Sequence, residues 1–175
     1  MSSYYEKVDG IERCIDDEIP FGLPNNWAWE RLSTVAYNIY AGGDKPKDFS
    51  SIKDANRMIP VIANGISNEG ILGYTSTATA KEGTITVAGR GTIGFSLYRP
   101  YRYCPVVRLI VIEQSHYLNP LYLQYFLEAF PEKSLGTSIP QLTVPMLKPK
   151  LISIPPYKEQ QRIVEQIEKV FFKIK

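Results

Sequence analysis

Residues that commonly carry catalysis or bind metals are scarce in this chain. His116 is the one histidine among 175 residues, and Cys14 and Cys104 are the two cysteines. One histidine cannot build a metal cluster, and the two cysteines are too far apart in sequence to suggest a disulfide framework or a Cys-x-x-Cys metal site. So little cysteine also fits a reducing, cytoplasmic setting. We therefore expect no metal site and no disulfide.

Catalytic motifs are missing as well. No Asp or Glu is followed two positions later by Lys, as the clustered acids of many nuclease sites would be. Ser96, Ser138 and the cysteines have no Gly-x-Ser-x-Gly setting or neighbouring base. Residues 154–157, Ile-Pro-Pro-Tyr, resemble a motif of amino-methyltransferases, but isoleucine stands where those enzymes need a side-chain oxygen to hold the amine. The sequence therefore predicts a chain that is not an enzyme.

Long apolar runs are also missing, so we expect neither a signal peptide nor a membrane span. The length suits one domain with a proper core. A hydrophobic content of 44% and a charged content of 22% are typical of globular proteins. A folded, single-domain chain is the simplest interpretation.

The charge is unevenly distributed. Residues 1–30 hold seven acids and two bases, so the rest of the chain holds eleven acids and eighteen bases. A basic body behind an acidic arm suggests a polyanion as partner. Mildly basic domains without such a partner are also common, so this charge pattern does not decide the matter alone.

Hydrophobic patterning predicts an α/β (α+β) fold, a twisted and mainly antiparallel sheet with a few packed helices. Short runs rich in β-branched residues at 59–63, 71–75, 84–88, 95–98 and 106–112 are separated by Gly, Asn, Ser and Pro. Asn119 and Pro120 then open a helix over 121–130, as N-cap and first helical residue. A short helical turn, a strand at 150–155 and a terminal helix follow.

Residues 89–94 match Gly-x-Gly-x-x-Gly, but the context does not fit nucleotide binding. A dinucleotide site needs a helix after the glycines, whereas 95–105 are rich in aromatic residues and proline. The partner motifs of a kinase glycine loop are missing too. The simpler interpretation is a tight turn whose glycines adopt positive φ and let the backbone approach something outside the chain closely.

The strongest functional signal is a segment with no acid, 83–112, which contains Arg90, Arg99, Arg102 and Arg108 with tyrosines between them. Arginine and tyrosine both suit phosphate and base edges, although Arg108 within its predicted strand could simply face solvent. Short polar residues in nearby loops could read base edges, but any surface loop is polar. The predicted DNA-binding residues are Lys45, Lys47, Asn64, Ser67, Asn68, Thr77, Arg90, Thr92, Tyr98, Arg99, Arg102, Thr137, Ser138 and Gln141.

The last eighteen residues predict an amphipathic helix. Its apolar seam consists of Ile163, Ile167, Val170 and Ile174, a coiled-coil spacing that covers barely two repeats. A helix this short is marginal alone. We expect the seam to be unpaired in the isolated chain, and so either to self-associate or to fray at its end.

From about Glu18 onward the chain resembles the target recognition domain of the specificity subunit of type I restriction-modification systems. The resemblance rests on EIPFGLPNNWAWERL, AGGDKP, NGISNEGILGYT, GTITVAGRGTIG and, above all, LISIPPYKEQQRIVEQIEK. It implies three regions: an acidic lead-in at 1–17, a DNA-binding recognition domain at 18–155, and the start of a spacer or dimerisation helix at 156–175.

The resemblance also implies the division of labour. Such subunits read double-stranded DNA and do no chemistry. Partner methyltransferase subunits methylate adenine with S-adenosylmethionine, and a restriction subunit cleaves with ATP and Mg. Two rival interpretations remain open: an assembly module whose functional surface is the helix, and a stand-alone methyltransferase or nucleotide-binding enzyme that uses the Gly89 loop.

Overall fold

The computed structural model describes residues 3–131 and 141–174, without the side chain of Ile174. The strands are β1 Tyr5–Val8, β2 Ile11–Cys14, β3 Ala28–Arg31, β4 Ala36–Ala41, β5 Ile59–Ile62, β6 Ile71–Thr75, β7 Thr84–Val87, β8 Ser96–Arg99, β9 Cys104–Pro105, β10 Ile110–Gln114 and β11 Leu151–Ile154. The helices are α1 Leu32–Val35, α2 Pro120–Ala129, α3 Val144–Leu147 and α4 Tyr157–Ile174. None of the helices described is long and apolar enough to cross a membrane.

A four-stranded antiparallel sheet forms the centre of the molecule, in the order β4-β10-β7-β8. Its register pairs Ile110 with both Ala41 and Val87, and Val87 with Ser96. Because side chains alternate along a strand, Ile85 and Val87 face one side while Thr84 and Thr86 face the other. The mixed α and β fold class predicted from the sequence is confirmed.

Helix α2 covers the isoleucine side of the central sheet. Its N-cap is Asn119, whose side chain accepts hydrogen bonds from the backbone N–H groups of Leu121 and Tyr122, and Pro120 is the first helical residue. Both assignments made from the sequence are confirmed. The helix residues packed into the core are Tyr122, Leu123, Phe126 and Leu127.

The other side of the central sheet is covered by a second sheet, in the order β6-β5-β9. The sequence predicted a mainly antiparallel sheet; the strands form separate sheets, and in the second one β5 and β9 pair in parallel. Tyr103, fully buried between the layers, shares a 2.8 Å hydrogen bond between its hydroxyl and that of Thr84. Burial raises the pKa of Tyr103, so the phenol stays neutral.

The entrance and exit of the domain pair with each other. Strand β3 is antiparallel to β11, with Arg31 opposite Leu151 and Ala28 opposite Ile154. This pairing fixes where α4 leaves the domain. Gln160, 1% exposed, completes the attachment: it accepts from the backbone N–H of Asn119 at 2.7 Å and donates to the carbonyls of Tyr117 and Pro155.

The acidic lead-in has regular structure, which the sequence analysis did not predict. Strands β1 and β2 form a hairpin, and Ile15 just after it is buried. The hairpin is attached through Arg31, which forms ion pairs with Glu6 at 2.8 Å and Glu18 at 2.7 Å. The bonds from Arg31 lower the pKa of Glu6 to about 2.

Candidate nucleic-acid interface

Five segments meet at one end of the central sheet, which we call the loop end. Strands β4 and β7 end there while β8 and β10 begin there, and β5 of the second sheet ends beside them. The chain segments at the loop end are 42–45, 63–70, 88–95, 106–109 and 141–143. Topology therefore gathers loops that are distant in sequence.

Asn64 ties three of these segments together. Its side-chain oxygen accepts a hydrogen bond from the backbone N–H of Gly89 at 2.8 Å, and its amide nitrogen donates to the carbonyl of Val107 at 2.8 Å. Asn64 was predicted to contact DNA. In the structure its side chain is engaged by two backbones, so it holds the loops in place.

Two glycines at the loop end allow backbones to pack closely. A Cβ on Gly89 would lie 2.6 Å from the carbonyl oxygen of Leu142, and one on Gly42 would lie 2.5 Å from the backbone of Pro105. The sequence analysis expected close approach at the Gly89 turn, but to something outside the chain. At Gly89 the approach is to the chain itself, and Leu142 donates its N–H to the Gly89 carbonyl at 2.8 Å.

Val107 and Arg108 form a left-handed turn, with φ of 54° and 60°. The sequence analysis placed both in a strand, and this was wrong, because β10 begins at Ile110. A β-branched residue with positive φ is strained, and such strain persists only where surrounding contacts impose it. Here Val107 donates to the Gly43 carbonyl at 2.9 Å and accepts from Asn64. No residue type at 107–108 signals such a turn.

The turn brings Arg108 to a cleft that it shares with Arg90 and Gln141. The cleft has a volume of about 200 Å³, and its other lining residues are Ala41, Gly89, Ile110, Leu142, Thr143, Val144 and Pro145. Arg90, Arg108 and Gln141 are exposed. Among the described residues, no carboxylate lies within ion-pairing distance of either arginine. The two guanidinium groups are thus available to an outside partner.

Arg99 is not available, and its prediction as a DNA contact was wrong. The residue is 1% exposed and lies between the central sheet and the 63–70 segment. Its guanidinium donates to the Thr86 hydroxyl at 3.0 Å and to the Glu69 carbonyl at 2.8 Å, and the Glu69 carboxylate lies 3.6 Å away. Alternation along β8 turns this residue inward, which a count of arginines cannot reveal.

Tyr98, predicted with Arg99, faces the opposite side of β8. It is partly buried and packs against the main core. Its backbone N–H donates to the side chain of Gln124 on α2 at 2.8 Å. The ring is therefore held between sheet and helix rather than presented at the loop end.

The other predicted residues fall into separate groups. Lys45, Ser67, Asn68 and Thr92 are exposed on loop-end segments. Arg102 is exposed beyond the far end of β8. Lys47 and Thr77 are exposed near the end of β6, where Asp48 accepts from the Ser76 backbone at 2.8 Å. Hydrogen bonds from Ser76 and Thr75 lower the pKa of Asp48. Thr137 and Ser138 lie outside the described residues.

A comparison with protein-family models shows the family of this chain. Residues 24–175 match the model of the type I restriction modification DNA specificity domain. The chain belongs to this family.

Curated relatives of this specificity domain come from Mycoplasma pneumoniae. The chain is 34% identical over 142 residues to S.MpnORF507P and 33% identical over 150 residues to S.MpnORF89P, both named as type I specificity subunits. The aligned regions cover 81% and 83% of this chain but 39% and 45% of those proteins. The chain therefore spans less than half the length of these curated relatives.

Solved structures share the fold of this specificity domain. One is a chain from a study of complex assembly and conformational transition of the type I R-M system, with a TM-score of 0.75, 21% identity, and coverage of 89% of this chain and 40% of that one. Another is the HsdS subunit from Thermoanaerobacter tengcongensis, with a TM-score of 0.69, 19% identity, and coverage of 89% and 40%.

The terminal helix of the specificity domain is partly covered by the domain itself. Ile163 packs against the main core and Val164 is buried in it, so the prediction of an unpaired seam was wrong for the first turns. The C-terminal half of the helix is exposed to solvent: Val170 is 55% exposed and Phe172 is 83% exposed. Ile167 is half-buried between these regions. The sequence analysis missed Val164, Phe172 and the anchoring Gln160.

Proposed function

We propose that the chain recognises part of a double-stranded DNA target as part of a type I specificity subunit. The observation that carries the proposal is the loop end, where Arg90 and Arg108 line one cleft and no carboxylate of the described residues pairs with them. Arginine forks of this kind suit both phosphates and base edges. The family membership supports the same function.

Two acidic residues in and just after the N-terminal hairpin are engaged elsewhere. Glu6 and Glu18 form ion pairs with Arg31 and with Arg13, at distances from 2.5 to 3.1 Å. Since these carboxylates are already paired, they do not serve to neutralise the arginines of the loop end. The basic character of the body of the chain is thereby available to a polyanion.

The proposed partners supply the chemistry. Methyltransferase subunits would bind S-adenosylmethionine and methylate adenine, and a restriction subunit would use ATP and Mg to cleave. This chain would direct both without catalysing either step, in the cytoplasm where the DNA is. In the described part of the chain, no three His, Cys, Asp or Glu side chains gather around a space that could hold a metal ion.

A second candidate function is assembly without base readout, and the far half of α4 favours it. Val170, Phe171 and Phe172 are exposed on consecutive positions, at 55%, 54% and 83%. In this interpretation the helix binds a counterpart helix and the arginines are merely solvated. In the proposed function the same surface is the start of the spacer between two recognition domains.

Binding to a random-sequence duplex library at about 50 and about 200 mM salt separates the two functions. A protein with several phosphate contacts loses orders of magnitude in affinity over that range. Lys substitutions at Ile167 and Val170 should then reduce self-association, measured by sedimentation at rising concentration, and leave DNA affinity intact. Absence of DNA binding at either salt concentration, with self-association retained, would instead support the assembly function.

A further inference from the structure

We propose that Arg90, Arg108 and Gln141 form one base-reading cluster that recognises a guanine edge in the major groove, and that Asn64 is its positioning residue. This inference rests on the proposed function. It adds Arg108, for which the sequence analysis had left a solvent-facing position open, and removes Asn64 from the direct contacts. It also assigns the chemistry of the target at this position.

Each member of the cluster stands next to a clamped backbone position. Arg90 follows Gly89, whose N–H is held by Asn64 and whose carbonyl accepts from Leu142. Gln141 precedes Leu142, and Arg108 follows Val107, whose carbonyl is bound by Asn64. The Asn64 amide and the contact between Gly89 and Leu142 thus fix the backbone from which the three exposed side chains extend. Such preorganisation reduces the ordering cost of binding.

The strained turn at Val107 indicates that the direction of Arg108 matters. A phosphate contact can be made from many backbone positions by a flexible side chain, because phosphates line the whole duplex. A base edge demands a particular approach. Among the hydrogen bonds that hold the 106–109 turn in its left-handed conformation are Val107 to Gly43, Arg108 to Gly42, Leu109 to Val106 and Asn64 to Val107. They fix the backbone position from which the Arg108 side chain extends.

The donors and acceptors of the cluster match guanine best. The two guanidinium groups carry only donors, and guanine presents two acceptors, O6 and N7, in the major groove. Gln141 can donate or accept at the neighbouring base. No carboxylate lines the cleft to accept from the cytosine amino group. Two arginines bordering a single cleft of about 200 Å³ should read the same or an adjacent base pair.

The experiment begins with the 175-residue chain and a random-sequence duplex library. Affinities of the unchanged chain, Arg90→Ala and Arg108→Ala are then measured for the enriched duplex and for duplexes in which each guanine is replaced by 7-deazaguanine or by adenine. We expect each variant to lose about 5-fold to about 150-fold of its discrimination at one guanine, with the two affected positions identical or adjacent. Arg162→Ala, on α4, is the matched control and should change nothing.

The outcomes separate this inference from the proposed function. If no duplex is bound, the proposed function itself fails. If DNA is bound but Arg108→Ala weakens all duplexes equally and lowers the salt slope by about one, Arg108 contacts phosphate and the inference is overturned. It is also overturned if the enriched sequence has no guanine at the affected position. A loss confined to one guanine supports it.

Asn64 is tested by a variant that keeps half of its hydrogen bonds. Asn64→Asp retains an acceptor for Gly89 but cannot donate to the Val107 carbonyl. We expect it to lose about as much discrimination as Arg108→Ala does, and Arg90→Ala to cause the same further loss in this variant as in the unchanged chain. A uniform loss of affinity in step with a lower melting temperature would show a merely structural residue and overturn this assignment.

Discussion

Replacing Arg99 by Ala should lower the free energy of unfolding of the protein without removing a DNA contact. The guanidinium donates at 3.0 Å to the Thr86 hydroxyl and at 2.8 Å to the Glu69 carbonyl, within a site that is 1% exposed. A hydrogen bond from a charged group contributes about 1.5 to 3 kcal/mol, and truncation leaves a cavity as well. The buried charge has its own desolvation cost, which offsets part of this. We expect a net loss of about 3 kcal/mol in the free energy of unfolding.

Urea denaturation measures this loss, with Arg102→Ala as the matched control. Arg102 is exposed and unpaired within the described residues, so its removal should change stability by less than about 0.5 kcal/mol. Arg99→Met fills much of the space without the charge and should cost about half as much as Arg99→Ala. DNA affinity of folded Arg99→Met should match that of the unchanged chain. Unchanged stability together with a large loss of affinity would refute the burial of Arg99.

Three further predictions concern close packing, pH and the terminal helix. Gly89→Ala should cost about 1 to 3 kcal/mol in urea denaturation because its Cβ would lie 2.6 Å from the Leu142 oxygen, whereas Gly43→Ala, with open space, should be neutral. The pKa of Glu6 is lowered to about 2, so the stability that its ion pairs contribute is complete above the unfolded pKa near 4.5 and is lost as the pH falls towards 2. The rate at which a protease cleaves the hairpin should therefore rise over this pH range, and Glu6→Gln should abolish that pH dependence. Gln160→Ala should cost about 2 to 4 kcal/mol and speed hydrogen exchange in α4, because a buried side chain loses three hydrogen bonds; Gln161→Ala should do neither.

Local patterns predicted most of the strands and both longer helices. Runs of β-branched residues mark β5, β6, β7 and β10, and the Asn119-Pro120 pair marks the start of α2, because these signals depend on neighbouring residues alone. The hairpin at 5–14 was missed because its strands are short, polar and exposed. The parallel pairing of β5 with β9 was missed because a two-residue strand leaves no pattern.

The composition of the candidate site was predictable, but its geometry was not. The segment without acids drew attention to Arg90 and Arg108, which line one cleft in the structure. The register of β8 turns Arg99 inward, whereas Arg102 lies beyond the end of that strand and is exposed. The approach of Arg108 to Arg90 depends on a left-handed turn imposed by contacts with Gly43 and Asn64. Long-range contacts of this kind cannot be read from local sequence.

Sequence-dependent DNA binding by the 175-residue chain is the most direct test of its proposed function. The measurement is the ratio of affinities for a duplex enriched from a random library and for a shuffled duplex of the same composition, at about 200 mM salt, where nonspecific binding is weak. One bidentate base contact is worth about 1 to 3 kcal/mol, so two should give a ratio of at least about 30. Equal affinity for the two duplexes would contradict the proposal that this chain reads DNA sequence.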